Sequence, residues 1–275
     1  MDGRRVSTRR STRYQITSWV IQTGIMKFLA FFLVFDLSLT ASISPSWFNR
    51  YHSYTSHVDY LHRLAADHPS MATVFNAGKS FEQRDILGIH LFGKSGPGNK
   101  PAVVFFGTAH AREWITTMVT EYVADRLLSQ YGVDTNIKHA MDSFDFYIFP
   151  LINPDGTSIP LPTIQLPVKT VHSGFVYSQT KHRMWRKNRQ KQNGTSCVGR
   201  DLNRNWDAHW HQSSGASTTP CHSTYKGSRP LDAPETRALA TELQAIKERQ
   251  GLRLFIDWHA FSQVVLYRGY ASWTC

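Results

Sequence analysis

The sequence predicts an α/β domain with helices on both sides of a largely buried sheet. Two observations carry this. Short β-rich runs alternate with segments of helical periodicity along most of the 275 residues, and the run Asp145–Ile152 (DFYIFPLI) is almost continuously apolar, as in strands covered on both faces. A chain of this length holds one large domain or two small ones and can bury a sizeable core.

The elements follow in order. Residues 53–68 carry Val58, Leu61, Leu64 and Ala65 at helical spacing and stop before Pro69, which predicts a helix. Met71–Asn76, Asp85–Phe92 and Pro101–Gly107 are short strand candidates separated by turn residues. Glu113–Tyr131 is predicted as a long amphipathic helix with Gly132 as its stop. The strand Asp145–Ile152 ends in the turn signal Asn153-Pro154-Asp155-Gly156. Ala233–Gln250 is predicted as a helix and Arg253–Asp257 as a further buried strand.

Residues 1–45 are expected to stand apart as a basic leader with a signal-peptide-like apolar segment. FLAFFLVF at Phe28–Phe35, with Lys27 before it and small residues after it, suits a secretory segment. Asp36 interrupts it, and it falls short of the ~20 apolar residues that span a bilayer. Contact with a membrane is therefore expected only in transit, an uncleaved anchor being the alternative, and Met26 would be a more typical start than Met1. The expected location is extracellular. Residues 46–275 then form the folded domain. Within it, residues 157–174, with three prolines, fit neither helix nor central strand and are expected to be a loop insertion.

The net charge of +11 invites a nucleic-acid reading, but the leader inflates it. Without residues 1–45 there remain 25 basic and 18 acidic residues, a net of +7. The densest basic stretch, Lys181–Lys191, reads either as a solvated or polyanion-binding face or as part of a site.

The chemistry concentrates in a few places. His110 and Glu113 sit where the strand PAVVFFGTA gives way to a helix, just beyond a strand's carboxyl end, where α/β sheets place their sites. Residues three apart on a helical turn share a face and can converge on one ion. His139 and Asp142 show similar spacing without supporting context. A third donor, His259, follows another strand. Two imidazoles and a carboxylate with a fourth position open to water are the donor set of catalytic zinc. Arg186 in MWRKNR, with Asn203 and Arg204 in DLNRNWDA, adds guanidinium forks suited to a substrate carboxylate or an oxyanion.

Taken together, GTAHAREWI, FYIFPLINPDG, MWRKNR, DLNRNWDA and DWHAFSQ resemble the pancreatic-type (A/B) zinc metallocarboxypeptidases, over about Trp47 to Tyr270. The secreted start is similar to that of fungal members. The resemblance implies a mixed, mostly parallel central sheet with helices on both faces. It implies one Zn2+ held by His110, Glu113 and His259, with Asp201 orienting His110. Arg186 would be catalytic, polarising the scissile carbonyl. Arg112, Arg186, Asn203 and Arg204 would bind substrate, the last two gripping a free C-terminal carboxylate. Cys197 and Cys221 would form the family disulfide, and Asn193-Gly194-Thr195 is a glycosylation sequon.

The implied activity is release of C-terminal amino acids from peptides and proteins by a monomer with no nucleic-acid partner. The family's general-base glutamate, the tyrosine that closes over substrate, the specificity pocket and the C-terminal strands and helix fall in a stretch the 275 residues do not include. The alternative expectation is therefore a zinc- and peptide-binding relative, or a fragment, without catalysis. Residues 157–174 and 271–275 are expected to be gene-model errors. Phe261 stands where relatives often have tyrosine.

Overall fold

A computed structural model describes residues 45–155, 174–212, 215–262 and 264–266. The leader, residues 157–173 of the expected insertion and residues 271–275 lie outside the described residues, as does the apolar segment 28–35. Among the described residues no helix is long and apolar enough to cross a membrane.

The described residues form five strands, β1 (Ala72–Lys79), β2 (Asp85–Leu91), β3 (Ala102–Phe106), β4 (Asp145–Phe149) and β5 (Leu252–Asp257), in the order β1-β2-β4-β3-β5. β1 and β2 pair antiparallel, as do β2 and β4, whereas β3 lies parallel to both β4 and β5. The sheet is mixed, as expected, with its parallel half at β4-β3-β5. Every residue of β3 and β4 is buried, which follows from their apolar runs AVVFF and FYIF, while Asp145 at the head of β4 is buried against His90 and Lys100.

Helices cover both faces. On one face α1 (Tyr54–Asp67) and α2 (Trp114–Ser129) pack Leu61, Leu64, Leu127 and Leu128 against Ile89, Val103, Phe105 and Ile148. On the other, Leu239 and Ile246 of α5 (Pro234–Gln250) meet Ile86, Val104, Phe106 and Phe149. The alternation along β3, odd residues to one layer and even residues to the other, divides the two cores. Each such large side chain contributes about 1.5–3 kcal/mol on burial.

Several boundaries differ from expectation. α2 starts at Trp114 and ends at Ser129 with Gln130 as its cap, so Gly132 is not the stop. β4 ends at Phe149, because Pro150 has no N–H for the ladder. A short helix α3 (Thr135–Ser143) went unread, although Asp134 caps it by accepting from the N–H groups of Asn136 and Ile137. So did α4 (Phe175–Thr180), which follows Gly174. The helical stop that glycine does provide is Gly251 after α5, at φ 79°. β5 is not buried on both faces: it is an edge of the described sheet, and Leu254 and Phe255 are 46% and 42% exposed.

Candidate metal centre

The site is assembled at the carboxyl ends of the parallel strands. β3 runs into Gly107, where a Cβ would come within 2.6 Å of the Pro150 carbonyl and 2.9 Å of the Thr116 carbonyl, so only glycine fits. Thr108 follows with φ 55°, its backbone N–H donating to Thr116 Oγ1 at 2.8 Å. These contacts pin the start of α2 against the end of β3 and set the segment 109–113 between them.

His110 and Glu113 share a side because of a turn, not a helical turn as expected. The turn is closed by the Glu113 N–H donating to the His110 carbonyl at 3.0 Å, and the helix begins only at Trp114. Glu113 is the N-cap residue of α2, but its side chain makes no capping bond and is turned to the histidines instead. A carboxylate at a helix N-terminus is favoured by the helix dipole.

His259 arrives from β5. Trp258 N–H donates to the Phe106 carbonyl at 2.9 Å, which extends the strand pairing one residue and sets His259 opposite the 110–113 turn. Nδ1 of His259 lies 3.2 Å from Nδ1 of His110 and 3.0 Å from Glu113 Oε2, and Nδ1 of His110 lies 2.8 Å from Glu113 Oε1. The three residues form a group able to hold a metal ion, with donor atoms all within 4.8 Å of one another.

The donor chemistry fits a cation. His110 Nε2 faces Asp201 Oδ1 at 3.1 Å, and a carboxylate can only accept, so Nε2 carries the proton. In the neutral ring, the Nδ1 lone pair then points at a carboxylate oxygen and at a second imidazole nitrogen, so a positive centre, a proton on His259 or a metal ion in its place, belongs among them. Tetrahedral zinc with Zn–N of about 2.0–2.1 Å puts its nitrogen ligands about 3.3 Å apart. The observed 3.2 Å between the two Nδ1 atoms matches that spacing.

The electrostatics point the same way. Burial raises Glu113, but the adjacent His110 and His259 and the Ala260 N–H outweigh it and hold the carboxyl down at about 2. Burial lowers His259, but Asp257 and Glu113 outweigh it and push the imidazole up to about 10. The site is built to hold positive charge.

Asp201 joins this cluster to Arg186. It is fully buried and caps the short turn Leu202–Arg204 by accepting from the Asn203 N–H at 3.0 Å. Its Oδ2 accepts from Arg186 Nε at 3.0 Å and lies 2.9 Å from Nη2. Burial acts to raise the Asp201 carboxyl, but His110 and Arg186 outweigh it and bring it below its ordinary value. The backbone carbonyl of Arg186 in turn accepts from the Ala111 N–H at 3.0 Å, so the arginine segment is clamped to the 110–113 turn.

The other sequence-predicted residues fall around this centre. The Asn203 amide lies 3.1 Å from His259 Nε2. Arg204 donates to the carbonyls of Asn203 (2.8 Å) and Gly215 (3.4 Å), and among the described residues its guanidinium does not touch the cluster. Arg112 lies in the 110–113 turn, half-buried, and its carbonyl accepts from Arg183 at 2.7 Å. Cys197 and Cys221 form a disulfide with Cα atoms 5.0 Å apart. Asn193 is exposed in a turn.

The stretch Lys181–Lys191 is not a uniformly solvated face. Lys187 is buried and donates to the Pro220 carbonyl at 2.7 Å, and burial with Arg189 and Arg200 nearby pushes its amine down to about 8. Arg189 is buried between the rings of Tyr177 and Trp185, at 4.0 and 4.3 Å from their centroids. With Arg186 held by Asp201, half of the six basic side chains are turned inward.

One site residue was missed. Asp257 Oδ2 lies 2.9 Å from His259 Nε2. The available signal was the Asp257-Trp258-His259 spacing, since residues two apart in extended backbone share a side.

A mixed sheet with a three-donor cluster able to hold a metal ion, and a carboxylate-held arginine, at its parallel strand ends defines an α/β domain with a candidate metal site. Residues 57–272 match the zinc carboxypeptidase family, and the chain belongs to that family. It is similar to metallocarboxypeptidase A of Trichophyton tonsurans, at 41% identity over 221 residues, which cover 80% of this chain and 48% of the relative. Carboxypeptidase A2 of Rattus norvegicus is 33% identical over 220 residues, 80% of this chain and 47% of the relative. Among solved structures, thrombin activatable fibrinolysis inhibitor aligns with TM-score 0.69 and 28% identity, covering 80% of this chain and 50% of that one. Carboxypeptidase A of Helicoverpa armigera aligns with TM-score 0.64 and 29% identity, covering 78% and 47%. The chain thus spans about half the length of these relatives.

Proposed function

We propose that this protein is a secreted zinc metallocarboxypeptidase, releasing C-terminal amino acids from peptides and proteins. The observation that carries the reading is the convergence of His110, Glu113 and His259 beside Arg186. In this reading His110 and His259 hold the zinc through Nδ1 and Glu113 through its carboxylate, and residues 46–275 are catalytic-domain sequence.

When bound, the ion supplies Lewis-acid polarisation of the scissile carbonyl and a water of lowered pKa. The residues present orient the ligands and supply donors to the substrate. Asp201 accepts the Nε2 hydrogen of His110, which orients that ring. Asp201 also fixes the Arg186 guanidinium through Nε and Nη2, so that its remaining N–H donors are held ready for negative charge developing on a carbonyl oxygen. Arg112, Asn203 and Arg204 supply the donors for a C-terminal carboxylate, for which a guanidinium fork is the matched partner. Recognition of that carboxylate is what would restrict cleavage to the chain end.

The disulfide and the apolar segment at Phe28–Phe35 support an extracellular location, and the exposed turn at Asn193 supports glycosylation there. The chain is read as a monomer acting on peptide substrates, and the inward turn of Lys187 and Arg189 supports a peptide over a nucleic-acid partner.

The test uses the zinc-loaded chain and one fluorescent peptide in two forms, free acid and C-terminal amide. The free acid is expected to bind at least tenfold more tightly, and Arg204→Gln to erase the difference. Mass spectrometry is expected to show loss of one C-terminal residue at a time, abolished by 1,10-phenanthroline. Equal binding of the two forms contradicts the carboxylate clamp. Free-acid preference without release assigns the chain to binding alone and contradicts the hydrolase reading.

A further inference from the structure

The carboxylate of Asp257 stands on the opposite edge of the His259 ring from the cluster. Asp257 is the last residue of β5 and pairs with Phe106 at the end of β3. The strand-like bond from Trp258 N–H to the Phe106 carbonyl continues the extended backbone past it, which puts the Asp257 and His259 side chains on one side. The result is a line of groups. Asp257 Oδ2 lies 2.9 Å from His259 Nε2, and His259 Nδ1 lies 3.0 Å from Glu113 and 3.2 Å from His110 Nδ1. The other oxygen, Asp257 Oδ1, is buried without a hydrogen-bond partner, so the carboxylate is committed to the imidazole.

We infer that Asp257 is a positioning residue for metal binding: by accepting the Nε2 hydrogen of His259 it fixes the tautomer whose Nδ1 lone pair faces His110 and Glu113. This rests on the reading of those three residues as the zinc site. A histidine ligand held through its second nitrogen by a carboxylate is both oriented and made more basic. Asp201 does this for His110, and Asp257 gives His259 the same arrangement, so each imidazole has its own carboxylate. The two differ in setting. Asp201 is fully buried and shared with Arg186, while the Asp257 side chain is 16% exposed and its ion pair is with His259. Asn203 Nδ2 lies 3.1 Å from the same Nε2; a hydrogen on Nε2 requires that amide to be turned end for end, so that its oxygen faces the ring.

The experiment measures the zinc affinity of the full chain by chelator competition, for wild type, Asp257→Ala and Asp257→Asn. Asp257→Ala is expected to weaken zinc binding about 10–100-fold. Asp257→Asn, whose amide oxygen still accepts from Nε2, is expected to recover most of that loss. An Asp257→Ala affinity within twofold of wild type, or an Asn variant as weak as Ala, overturns the inference. Should the Ala variant fail to fold, long-range 1H–15N spectra of the zinc-loaded wild-type chain decide: a His259 protonated on Nε2 is expected, and one protonated on Nδ1 overturns the inference. His110→Ala separates the two levels. If it keeps zinc, the reading of the cluster fails; if it loses zinc while Asp257→Ala does not, only the role of Asp257 fails.

Discussion

Asp201 Oδ1 lies 3.1 Å from Nε2 of His110 while its other oxygen accepts from Arg186 Nε at 3.0 Å, so one buried carboxylate serves the candidate metal ligand and the candidate catalytic arginine together. The two functions are coupled through a residue that is expected to touch neither metal nor substrate.

Replacement of Asp201 should therefore act twice. Asp201→Ala is expected to lower zinc affinity about 10–100-fold. It is also expected to destabilise the metal-free fold by about 3 kcal/mol, because Arg186 loses the partner of a largely buried ion pair. Chelator competition and urea denaturation in EDTA read the two effects separately. A variant with unchanged zinc affinity and unchanged stability contradicts this assignment.

The Cys197–Cys221 disulfide closes a 24-residue separation. Replacing both cysteines with serine is expected to cost about 3 kcal/mol in the chain-entropy view. Urea midpoints of the double variant and of the oxidised wild type test this. Equal midpoints would mean that the loop is already ordered by contacts such as the Lys187–Pro220 bond.

A second carboxylate pair, away from the metal cluster, makes stability depend on pH. Burial, and then the charge of Asp155, push the Glu235 carboxyl up from 4.5 to about 8; burial, and then the charge of Glu82, raise Asp155 as well. A folded-state value above the unfolded one means that the native state holds the extra proton. The stabilisation is thus fully present below about 4.5 and is lost progressively as pH rises to about 8. Asp155→Asn keeps an acceptor oxygen for the Glu82 N–H, puts an N–H donor in place of the oxygen that accepts from Ser80, and removes the charge that faces Glu235. Denaturation of metal-free protein at pH 5 and pH 8 should show the variant losing less stability than wild type, by on the order of 1 kcal/mol. Identical losses would contradict the coupling.

Much of the parallel half of the fold was legible in the chain. β3 and β4 announce themselves because their sequences are almost wholly apolar, as in strands buried on both faces, and α5 because its helical periodicity runs on to Gln250. Harder to read were α3 and α4, nine and six residues long, whose periodic signals are too short to stand out. β5 looked like a buried strand because Leu254, Phe255 and Ile256 are apolar, but periodicity reports residue type, not what neighbours a strand finds. At the site, His110, Glu113 and His259 were legible as donors and as motif, yet the shared side of the first two comes from a turn. The basic stretch Lys181–Lys191 shows the limit most clearly: charge alone reads as surface, and only the rings of Tyr177 and Trp185 and the carboxylate of Asp201 explain why Arg189 and Arg186 face inward.

The proposed function requires that His110, Glu113 and His259 bind one ion together. Elemental analysis of the folded, dialysed chain tests it most directly: about one zinc per chain is expected for wild type, and a small fraction of that for His110→Ala, Glu113→Ala and His259→Ala. Zinc retained at the wild-type level in these variants, or absent from well-folded wild type supplied with zinc, would contradict it.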